Sequence, residues 1–344
     1  MLNAVVYELP EVPEVYWDFA KEYGTIYQSR PYCELLVDNN IELIVVAVYD
    51  DDDIVGGAAI TLGKRILGLA GKASMYFGPI VKDKEIIGDV LNCVVRSIKN
   101  YSWTISVSIW PDHVDNLIND IRRQKWKKTY IEFLHWDISP SLEALWKELP
   151  KGKRSSVNRA RREKVSIIEI DTDEHLKQFY DLHNQSMTRG EDVSCHSFSF
   201  YKCLFDIFKP KGLVTGYLAL HPETQEAIAA VVLLFGMDTT ATYMAVGHNY
   251  EHRKLGGSDL LVWHCLELLK ARGFTLFDLV GLPQGDTNRA KGIRHFKTAW
   301  SGSNGYCLPS FIMTYNCHGI NVLGVFSSLK SLRASVARCV KIVK

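Results

Sequence analysis

Two stretches of the chain share a pattern of apolar runs interrupted by a polar turn. In the first, the apolar residues 43–49 are followed by an acidic turn at 50–53 and a second apolar run at 54–60. In the second, the apolar runs 213–220 and 228–234 flank another polar turn. Short apolar runs bounded by turn residues predict two antiparallel β-hairpins.

The elements after each hairpin correspond as well. Each hairpin is followed by a short apolar run, an amphipathic helix and a final apolar strand. The predicted elements are residues 75–77, 84–99 and 103–109 in the first half, and residues 242–244, 258–272 and 275–280 in the second. Because the offset between the two halves stays nearly constant, we interpret the chain as an internal duplication of a mixed α/β unit.

The helix predicted at 258–272 has the clearer boundaries. Ser258 is a favourable N-cap, and Gly273 suits the left-handed position that ends a helix. Its buried face is formed by Leu260, Leu261, Trp263 and Leu268. The sequence therefore predicts a well-specified helix in the second half.

The length of 344 residues exceeds that of one typical domain. We predict one domain at residues 1–150, a second at 151–318 and a basic amphipathic helix at 319–344. The apolar fraction of 47% is ordinary for a protein that buries a core. The sequence predicts a mixed α/β fold class with two similar halves.

The balance of charges excludes some functional classes. With 40 Lys and Arg against 39 Asp and Glu, the net charge of +1 argues against binding DNA by overall basicity. The sequence shows neither a secretory signal nor an apolar run long enough to span a membrane, so we expect a cytoplasmic protein. The eight cysteines form no C-x-x-C pair, which favours a reducing compartment, and we predict no metal site.

Several segments carry motifs that are known from one family. The more specific are L-L-x-W at 260–263 with A-R-G-F at 271–274 and D-x-x-G at 278–281, and G-I-x-x-F-K-x-x-W over residues 292–300. Weaker matches are Y-x-G-P at the start of 76–81, a basic stretch within 146–165, and residues 186–190. In these segments the chain resembles the FemABX aminoacyltransferases, although Lys164 stands where the family has glycine.

This resemblance implies tandem GNAT-like domains packed around a shared cleft, and an enzyme that transfers an aminoacyl or acyl group to an amine. Such a transfer needs oriented reactants and donors for an oxyanion rather than an enzyme nucleophile. By resemblance, Lys297 stabilises the oxyanion or the leaving oxygen, and the backbone of Phe296 shapes the site. The alternative is that Lys297 is an ordinary exposed lysine beside a buried phenylalanine.

The resemblance also implies residues that bind the acceptor. Arg189 matches an arginine that holds a phosphate of the acceptor in the family, which suits the planar fork of a guanidinium. A solvated loop arginine is the alternative. Arg30 is a further candidate, and Tyr243 lies on a strand that faces the cleft in this fold. The implied acceptor is a phosphate-bearing amine of a cell-envelope precursor, and the amine of a peptide or of an amino sugar is the alternative.

The donor is left open between aminoacyl-tRNA and acyl-CoA. GNAT enzymes bind the CoA pyrophosphate with R/Q-x-x-G-x-G/A at a helix N-terminus, where free N–H groups favour an anion. Arg253, Gly256 and Ser258 approximate this pattern, with serine in place of the last glycine or alanine. The alternative is a glycine-containing turn that only begins a helix, and a catalytically silent binding protein is a further alternative for the whole chain.

Two basic segments point to larger partners. The run 151–164 suits the phosphate backbone of a charged tRNA, although most charge runs are solvated helix faces. Residues 319–344 contain five Lys and Arg and no acidic residue. A basic amphipathic helix of this kind suits peripheral contact with the inner face of a membrane, and a terminal packing helix is the alternative.

Overall fold

A computed structural model describes residues 2–117, 126–188, 195–236 and 238–318 of the chain. Arg189 and the predicted C-terminal helix at 319–344 lie outside the described residues. The chain divides into two compact units. Unit 1 comprises Met1–Tyr130 with Phe311–Lys344, and unit 2 comprises Ile131–Ser310.

Unit 1 is a mixed sheet with three described helices. Its helices are α1 (Glu14–Tyr23), α2 (Arg30–Asp38) and α3 (Ile87–Ile98). Its strands are β1 (Asn3–Glu8), β2 (Glu42–Asp50), β3 (Asp53–Leu62), β4 (Arg65–Ile66), β5 (Leu69–Ala70), β6 (Ala73–Tyr76), β7 (Ile80–Val81), β8 (Thr104–Ser108) and the second half of β15 (Gly305–Asn316). The main sheet has the order β1-β2-β3-β6-β8-β15, with β7 paired to β3 and β4 paired to β5 outside it.

The predicted hairpin of the first half is confirmed as β2 and β3. These strands pair antiparallel from Glu42↔Leu62 to Asp50↔Asp53, so the acidic residues form the tight turn. Asp51 occupies the left-handed region at φ 51°, which a short polar side chain tolerates better than most. The predicted helix at 84–99 is confirmed as α3, which packs its apolar face on this sheet.

Unit 2 repeats the same arrangement. Its helices are α4 (Leu142–Glu148), α5 (Lys151–Arg162), α6 (Asp173–Thr188), α7 (Phe198–Phe208), α8 (Gly257–Ala271) and α9 (Asn288–Ser301). Its strands are β9 (Lys127–Asp137, from residue 131), β10 (Ser166–Glu169), β11 (Val214–Leu220), β12 (Ala227–Phe235), β13 (Thr240–His248), β14 (Leu276–Leu282) and the first half of β15. The order from β10 is β10-β11-β12-β13-β14-β9.

The pairing within the two sheets shows the duplication directly. In each unit the first three neighbouring pairs are antiparallel, the next pair is parallel, and the last is antiparallel. The parallel pair is β6–β8 in unit 1 and β13–β14 in unit 2. The predicted fold class, a mixed α/β fold with two similar halves, is confirmed.

The last strand of each sheet comes from the other half of the sequence. Residues 132–137 of β9 pair with β14 in unit 2, and residues 312–316 of β15 pair with β8 in unit 1. Unit 2 therefore begins at Ile131, before the predicted division at residue 150, and the chain returns to unit 1 at Phe311. A pattern read along the sequence gives hairpins and helices, but it does not show which sheet a following strand joins.

The boundaries of α8 correct one prediction and confirm another. The helix begins at Gly257 with Gly256 as its N-cap, so the predicted N-cap Ser258 lies inside the first turn. Gly256 is left-handed at φ 77°, a conformation that glycine adopts at little cost. Gly273 is left-handed at φ 79° directly beyond the helix, as predicted.

Among the described residues, no helix combines the length and the apolar character needed to cross a membrane.

Candidate functional site

The parallel strands β13 and β14 pair over only a short length. Their register contains Thr240↔Leu276, Ala241↔Phe277 and Thr242↔Asp278. Both strands then continue, to His248 and Leu282, without a further pair between them. The backbone of these two strands therefore separates at their carboxyl ends, which is the position where open α/β sheets bind ligands.

A β-bulge in β14 lies at the point of separation. Between the pairs Asp278↔His135 and Gly281↔Phe133, β14 contains one residue more than β9. Val280 lies within this bulge. Its backbone is in the left-handed region at φ 56°, which is unusual for a β-branched residue. Its N–H donates to Oδ1 of Asp278 over 2.7 Å, so the Asp278 side chain closes a local turn around the bulge.

Lys297 reaches this bulge from α9. Its Nζ donates to the carbonyl oxygen of Gly281 over 3.0 Å. The side chain is partly buried, and burial lowers the pKa of Lys297 to about 8, while the neighbouring Asp278 carboxylate opposes that shift. Lys297 is therefore a half-buried amine held against β14, which differs from the alternative of an ordinary exposed lysine.

Asp278 is the buried acid of this region. Its side chain is 2% exposed, and burial raises its pKa; His135, the Val280 N–H, Lys297 and the Thr242 hydroxyl act in the opposite direction. His135 Nε2 lies 3.7 Å from Asp278 Oδ1, and its ring contacts Tyr306 edge-on at 5.7 Å between centroids. The region thus combines a carboxylate, an amine and an imidazole within unit 2.

Two polar contacts fix α9 against the rest of unit 2. Arg294 Nη1 forms an ion pair with Glu132 of β9 at 2.8 Å. At the N-terminal end of the helix, Arg289 donates to the carbonyl oxygens of Met187 and Ser186 at 3.2 and 3.3 Å, which occupies acceptors at the end of α6. These contacts hold the helix that carries Lys297 in a defined position.

Phe296 points to a different neighbour from Lys297, since adjacent helix positions are about 100° apart. Lys153 Nζ lies 3.9 Å from the centroid of the Phe296 ring, a cation–π distance. The same ammonium donates to Asp259 over 2.7 Å, and Trp300 Nε1 donates to that carboxylate over 3.1 Å. The ring of Phe296 therefore joins α9 to α5 and α8, while its predicted role through the backbone stays a prediction.

The predicted donor-phosphate residues lie together at the start of α8. Gly256 and Ser258 belong to its N-cap and first turn, and no side chain caps this helix end. Arg253 is exposed, and its guanidinium carbon lies 3.9 Å from the centroid of the Tyr250 ring. The arrangement presents a helix N-terminus beside an exposed cation, which is the general form of an anion site.

Two of the predicted substrate residues lie in other surroundings. Tyr243 is 7% exposed, packs in the hydrophobic core and contacts Phe277 edge-on, so its position suits packing and lends no support to substrate contact. Arg30 is a residue of unit 1 that forms surface ion pairs with Glu14 at 2.6 Å and Glu34 at 3.0 Å. Arg189 follows α6 and lies outside the described residues.

Residues 151–162 of the predicted basic run form α5, and five of its charged side chains differ in their partners. Lys153 and Arg161 are engaged by Asp259 and Glu267. Three others lie on the exposed side of the helix and have no ion-pair partner within the described part of the chain. These residues are Lys151, Arg159 and Arg162.

Some residues of the site were missed by the sequence analysis. Arg289 and His135 lie outside the motifs, and Lys153 belongs to the basic stretch without having been assigned a role; all three reach the site only through pairing and packing. Asp278, by contrast, was expected from its D-x-x-G motif to lie on a strand that faces the cleft, with a structural role as the alternative. An aspartate carboxylate can accept a hydrogen bond from the backbone N–H two residues later, and this bond closes a local turn.

Comparisons with known proteins agree with this arrangement. Residues 151–298 match the family model described as an acetyltransferase (GNAT) domain. The chain has a tandem GNAT fold. A crystal structure of FemX matches with a TM-score of 0.68 at 14% identity, over 89% of this chain and 96% of that chain. The predicted resemblance to the FemABX and GNAT proteins is confirmed.

Other GNAT-fold structures match over similar lengths. L-PGS from Bacillus licheniformis has a TM-score of 0.58 at 12% identity, over 91% of this chain and 95% of that chain. A tandem GNAT protein from the clavulanic acid biosynthesis pathway has a TM-score of 0.56 at 13% identity, over 93% and 100%. A search of curated protein sequences gave no match.

Proposed function

We propose that this chain transfers an acyl or aminoacyl group from an activated ester or thioester to an amine, without a covalent enzyme intermediate. The observation that carries the proposal is the position of Lys297. A half-buried ammonium is held against Gly281, where β14 separates from β13 in a GNAT fold. A cation fixed at such a place stabilises negative charge that builds on a reacting carbonyl.

The reaction needs few groups from the protein. The neutral acceptor amine attacks the carbonyl carbon, the new C–N bond forms, and charge collects on the carbonyl oxygen. The C–O or C–S bond to the donor then breaks, and the proton of the amine passes to the leaving oxygen or sulfur. With a pKa of about 8, Lys297 is mostly an ammonium at neutral pH and donates to the oxyanion or to the leaving oxygen.

The first proposed donor is aminoacyl-tRNA. The exposed side of α5 supports it, because Lys151, Arg159 and Arg162 have no ion-pair partner within the described residues and so offer their charges to phosphate. Lys151 and Arg162 are about 16 Å apart along the helix axis at the usual rise per residue, a length that follows several phosphates of a strand. The helix joins the Lys297 helix through Lys153 and Phe296.

The proposed acceptor is a phosphate-bearing amine, such as a cell-envelope precursor, a peptide or an amino sugar. Arg189 is proposed to hold its phosphate. The end of α6 supports this, because Arg289 of α9 donates to the carbonyl oxygens of Ser186 and Met187, three and two residues before Arg189 in the sequence. Cytoplasmic localisation, and contact of 319–344 with the inner face of a membrane, belong to the same proposal.

A second candidate donor is acyl-CoA. The specific observation in its favour is the N-terminus of α8, where left-handed Gly256 precedes a helix end without a side-chain cap and Arg253 is exposed nearby. Backbone N–H groups at a helix N-terminus bind phosphate groups. One solved relative, the tandem GNAT protein, is described as the form without AcCoA.

Transfer assays with two labelled donors separate these candidates. The purified chain is incubated with radiolabelled acetyl-CoA or with charged tRNA, each with a set of amine acceptors and with or without ribonuclease. Transfer that ribonuclease abolishes supports aminoacyl-tRNA, whereas transfer from acetyl-CoA that ribonuclease leaves unchanged supports the second candidate. Transfer from neither donor contradicts the proposed function.

Variants of α5 sharpen the same experiment. Replacing Lys151, Arg159 and Arg162 by alanine should weaken tRNA binding and reduce its dependence on salt by about one power of the salt concentration per lost phosphate contact. A matched variant replaces the exposed Lys64, Lys72 and Lys84 of unit 1 and changes the net charge equally. Equal weakening by both variants would assign the effect to overall charge.

A further inference from the structure

Asp278 has more contacts than a packing role requires. A carboxylate that is 2% exposed loses most of its hydration, and this cost is tolerated only where the charge has compensating partners. Its Oδ1 accepts from the Val280 N–H at 2.7 Å, and it lies in the field of Lys297 and 3.7 Å from His135. These partners lie on β14, α9 and β9, so the carboxylate joins three elements of the site.

The first of these contacts controls the backbone. Val280 occupies the left-handed region, which is unfavourable for a β-branched residue and persists only where the surroundings hold it. The hydrogen bond to Asp278 is such a support, because it closes a turn around the bulge. The bulge in turn sets the direction of the next carbonyl group, that of Gly281, which is the acceptor for Lys297 Nζ at 3.0 Å.

The second contact is electrostatic. Burial favours the neutral amine of Lys297, and the charge of Asp278 favours its ammonium. Two other features on neighbouring elements are the imidazole of His135, 3.7 Å from Asp278, and the Glu132–Arg294 ion pair, whose opposite charges lie 2.8 Å apart. Among the described residues, Asp278 is the acidic group whose charge favours the Lys297 ammonium against the effect of burial.

We infer that Asp278 is the positioning residue for Lys297: it holds the β14 bulge that presents the Gly281 carbonyl to the ammonium, and its negative charge keeps that ammonium protonated. This inference rests on the proposed function for its catalytic meaning. Its two parts, geometry and charge, are separable by substitution.

Three variants separate the two parts. Asp278→Asn keeps an oxygen that accepts from the Val280 N–H and removes the charge. Asp278→Ala removes both. Val280→Gly lowers the cost of the left-handed backbone, since glycine adopts positive φ freely, so that Asp278→Asn combined with Val280→Gly provides a folded protein if the single variant unfolds.

The measurement is the protonation of Lys297 itself. The full chain is labelled with trace acetic anhydride over a series of pH values, and mass spectrometry gives the reactivity of each lysine. Asp278→Asn should increase labelling of Lys297 at pH 7 about fivefold, because loss of a neighbouring negative charge lowers an amine pKa by about one unit and so raises the fraction of free amine. Lys270, which donates to the Ser139 carbonyl oxygen, and Lys153, which pairs with Asp259, serve as internal references and should not change.

Activity then tests the geometric part. With whichever donor supports transfer, Asp278→Asn should lower kcat at alkaline pH more than at neutral pH and leave KM nearly unchanged. Asp278→Ala should lower kcat at every pH, and adding Val280→Gly should restore part of that loss. Unchanged labelling of Lys297 in the Asp278→Asn protein, with Lys153 and Lys270 also unchanged, would overturn the inference.

The labelling result does not depend on the reaction. If the wild-type chain transfers from neither donor, the proposed function fails, and the reactivity of Lys297 still decides whether Asp278 acts on it. If transfer is observed and Lys297 labelling is indifferent to Asp278, the proposed function stands and the positioning role fails.

Discussion

Gly256 lies directly against Ser156, at the contact between the start of α8 and the middle of α5. A Cβ placed on Gly256 would lie 2.7 Å from the Ser156 carbonyl oxygen and 2.9 Å from its hydroxyl oxygen. Gly256 is also left-handed at φ 77°. Two independent constraints, a close backbone approach and a positive φ, therefore require glycine at the N-terminus of the helix that carries the second candidate donor site.

Gly256→Ala should destabilise unit 2 and displace the start of α8. The backbone conformation alone costs about 1–2 kcal/mol for alanine, and the contact with Ser156 adds to it. Gly273→Ala is the matched control, because Gly273 has φ 79° but open space around its Cβ position. Chemical denaturation should give a larger loss for Gly256→Ala than for Gly273→Ala. Equal losses would mean that Ser156 moves aside without cost.

Lys297→Met should abolish most transfer and leave the fold intact. Removing one group that stabilises an oxyanion lowers kcat by about 10²–10³-fold. Lys291→Met on the same helix is the control, since Lys291 is 62% exposed and lies 3.5 Å from Asp286. Activity measured under saturating donor should fall only in the Lys297 variant. Full activity of that variant would remove the proposed mechanism.

The same substitution should raise stability at neutral pH. The pKa of Lys297 is lowered from an ordinary value of 10.5 to about 8 in the folded chain. The folded state therefore disfavours the ammonium: the wild-type chain gains stability as pH rises from about 8 towards 10.5, and that gain is absent below pH 8. Methionine removes this cost, so unit 2 should gain about 1 kcal/mol, or about 2–4 °C in Tm. A lower Tm would show that the hydrogen bond to Gly281 outweighs the burial of the charge.

The pH dependence of transfer should follow the same group. If the ammonium of Lys297 is required, kcat falls as pH rises through about 8, because the amine loses its proton there. Lys297→Arg should show lower activity without that falling limb, since a guanidinium stays protonated. A pH profile of kcat for both proteins makes the comparison. A wild-type kcat that only rises through this range would indicate that the neutral amine acts instead.

The free energy of unfolding should depend on pH through the protonation of His183. Its Nδ1–H donates to the Val246 carbonyl oxygen at 2.7 Å, so its Nε2 accepts from the Tyr201 hydroxyl at 3.0 Å. Burial lowers the pKa of His183, so the stability due to the neutral ring is complete above about pH 6.5 and is lost as pH falls through the folded pKa. Free energies of unfolding across this range should show the loss in the wild type and lack it in His183→Gln.

Tyr201→Phe tests the same contact at neutral pH. It leaves a buried acceptor without its donor, which costs about 1–3 kcal/mol. Tyr180→Phe is the control, because Tyr180 is only half-buried and packs against Phe198. The Tyr201 variant should lose more stability than the control, as measured by chemical denaturation. Equal values would show that water replaces the tyrosine hydroxyl.

Local sequence patterns account for the repeated unit. Alternating apolar runs and short polar turns specify β2 with β3 and β11 with β12, because a hairpin depends on residues that are close along the chain. The amphipathic period and Gly273 specify α8 in the same way. The sequence motif at 292–300 also singled out Lys297, which contacts Gly281 where β14 separates from β13.

Which distant residues meet depends on the packing of the whole chain. The pairing of β9 with β14 brings His135 to Asp278, and the packing of α5 against α8 sets Ser156 against Gly256 and Lys153 above Phe296. It also places Tyr243 in the core, whereas the resemblance led us to expect this residue on a strand that faces the cleft. Local patterns record the conformations that nearby residues prefer, whereas burial, the pKa of Lys297 and the partners of Asp278 follow from groups that are far apart in sequence.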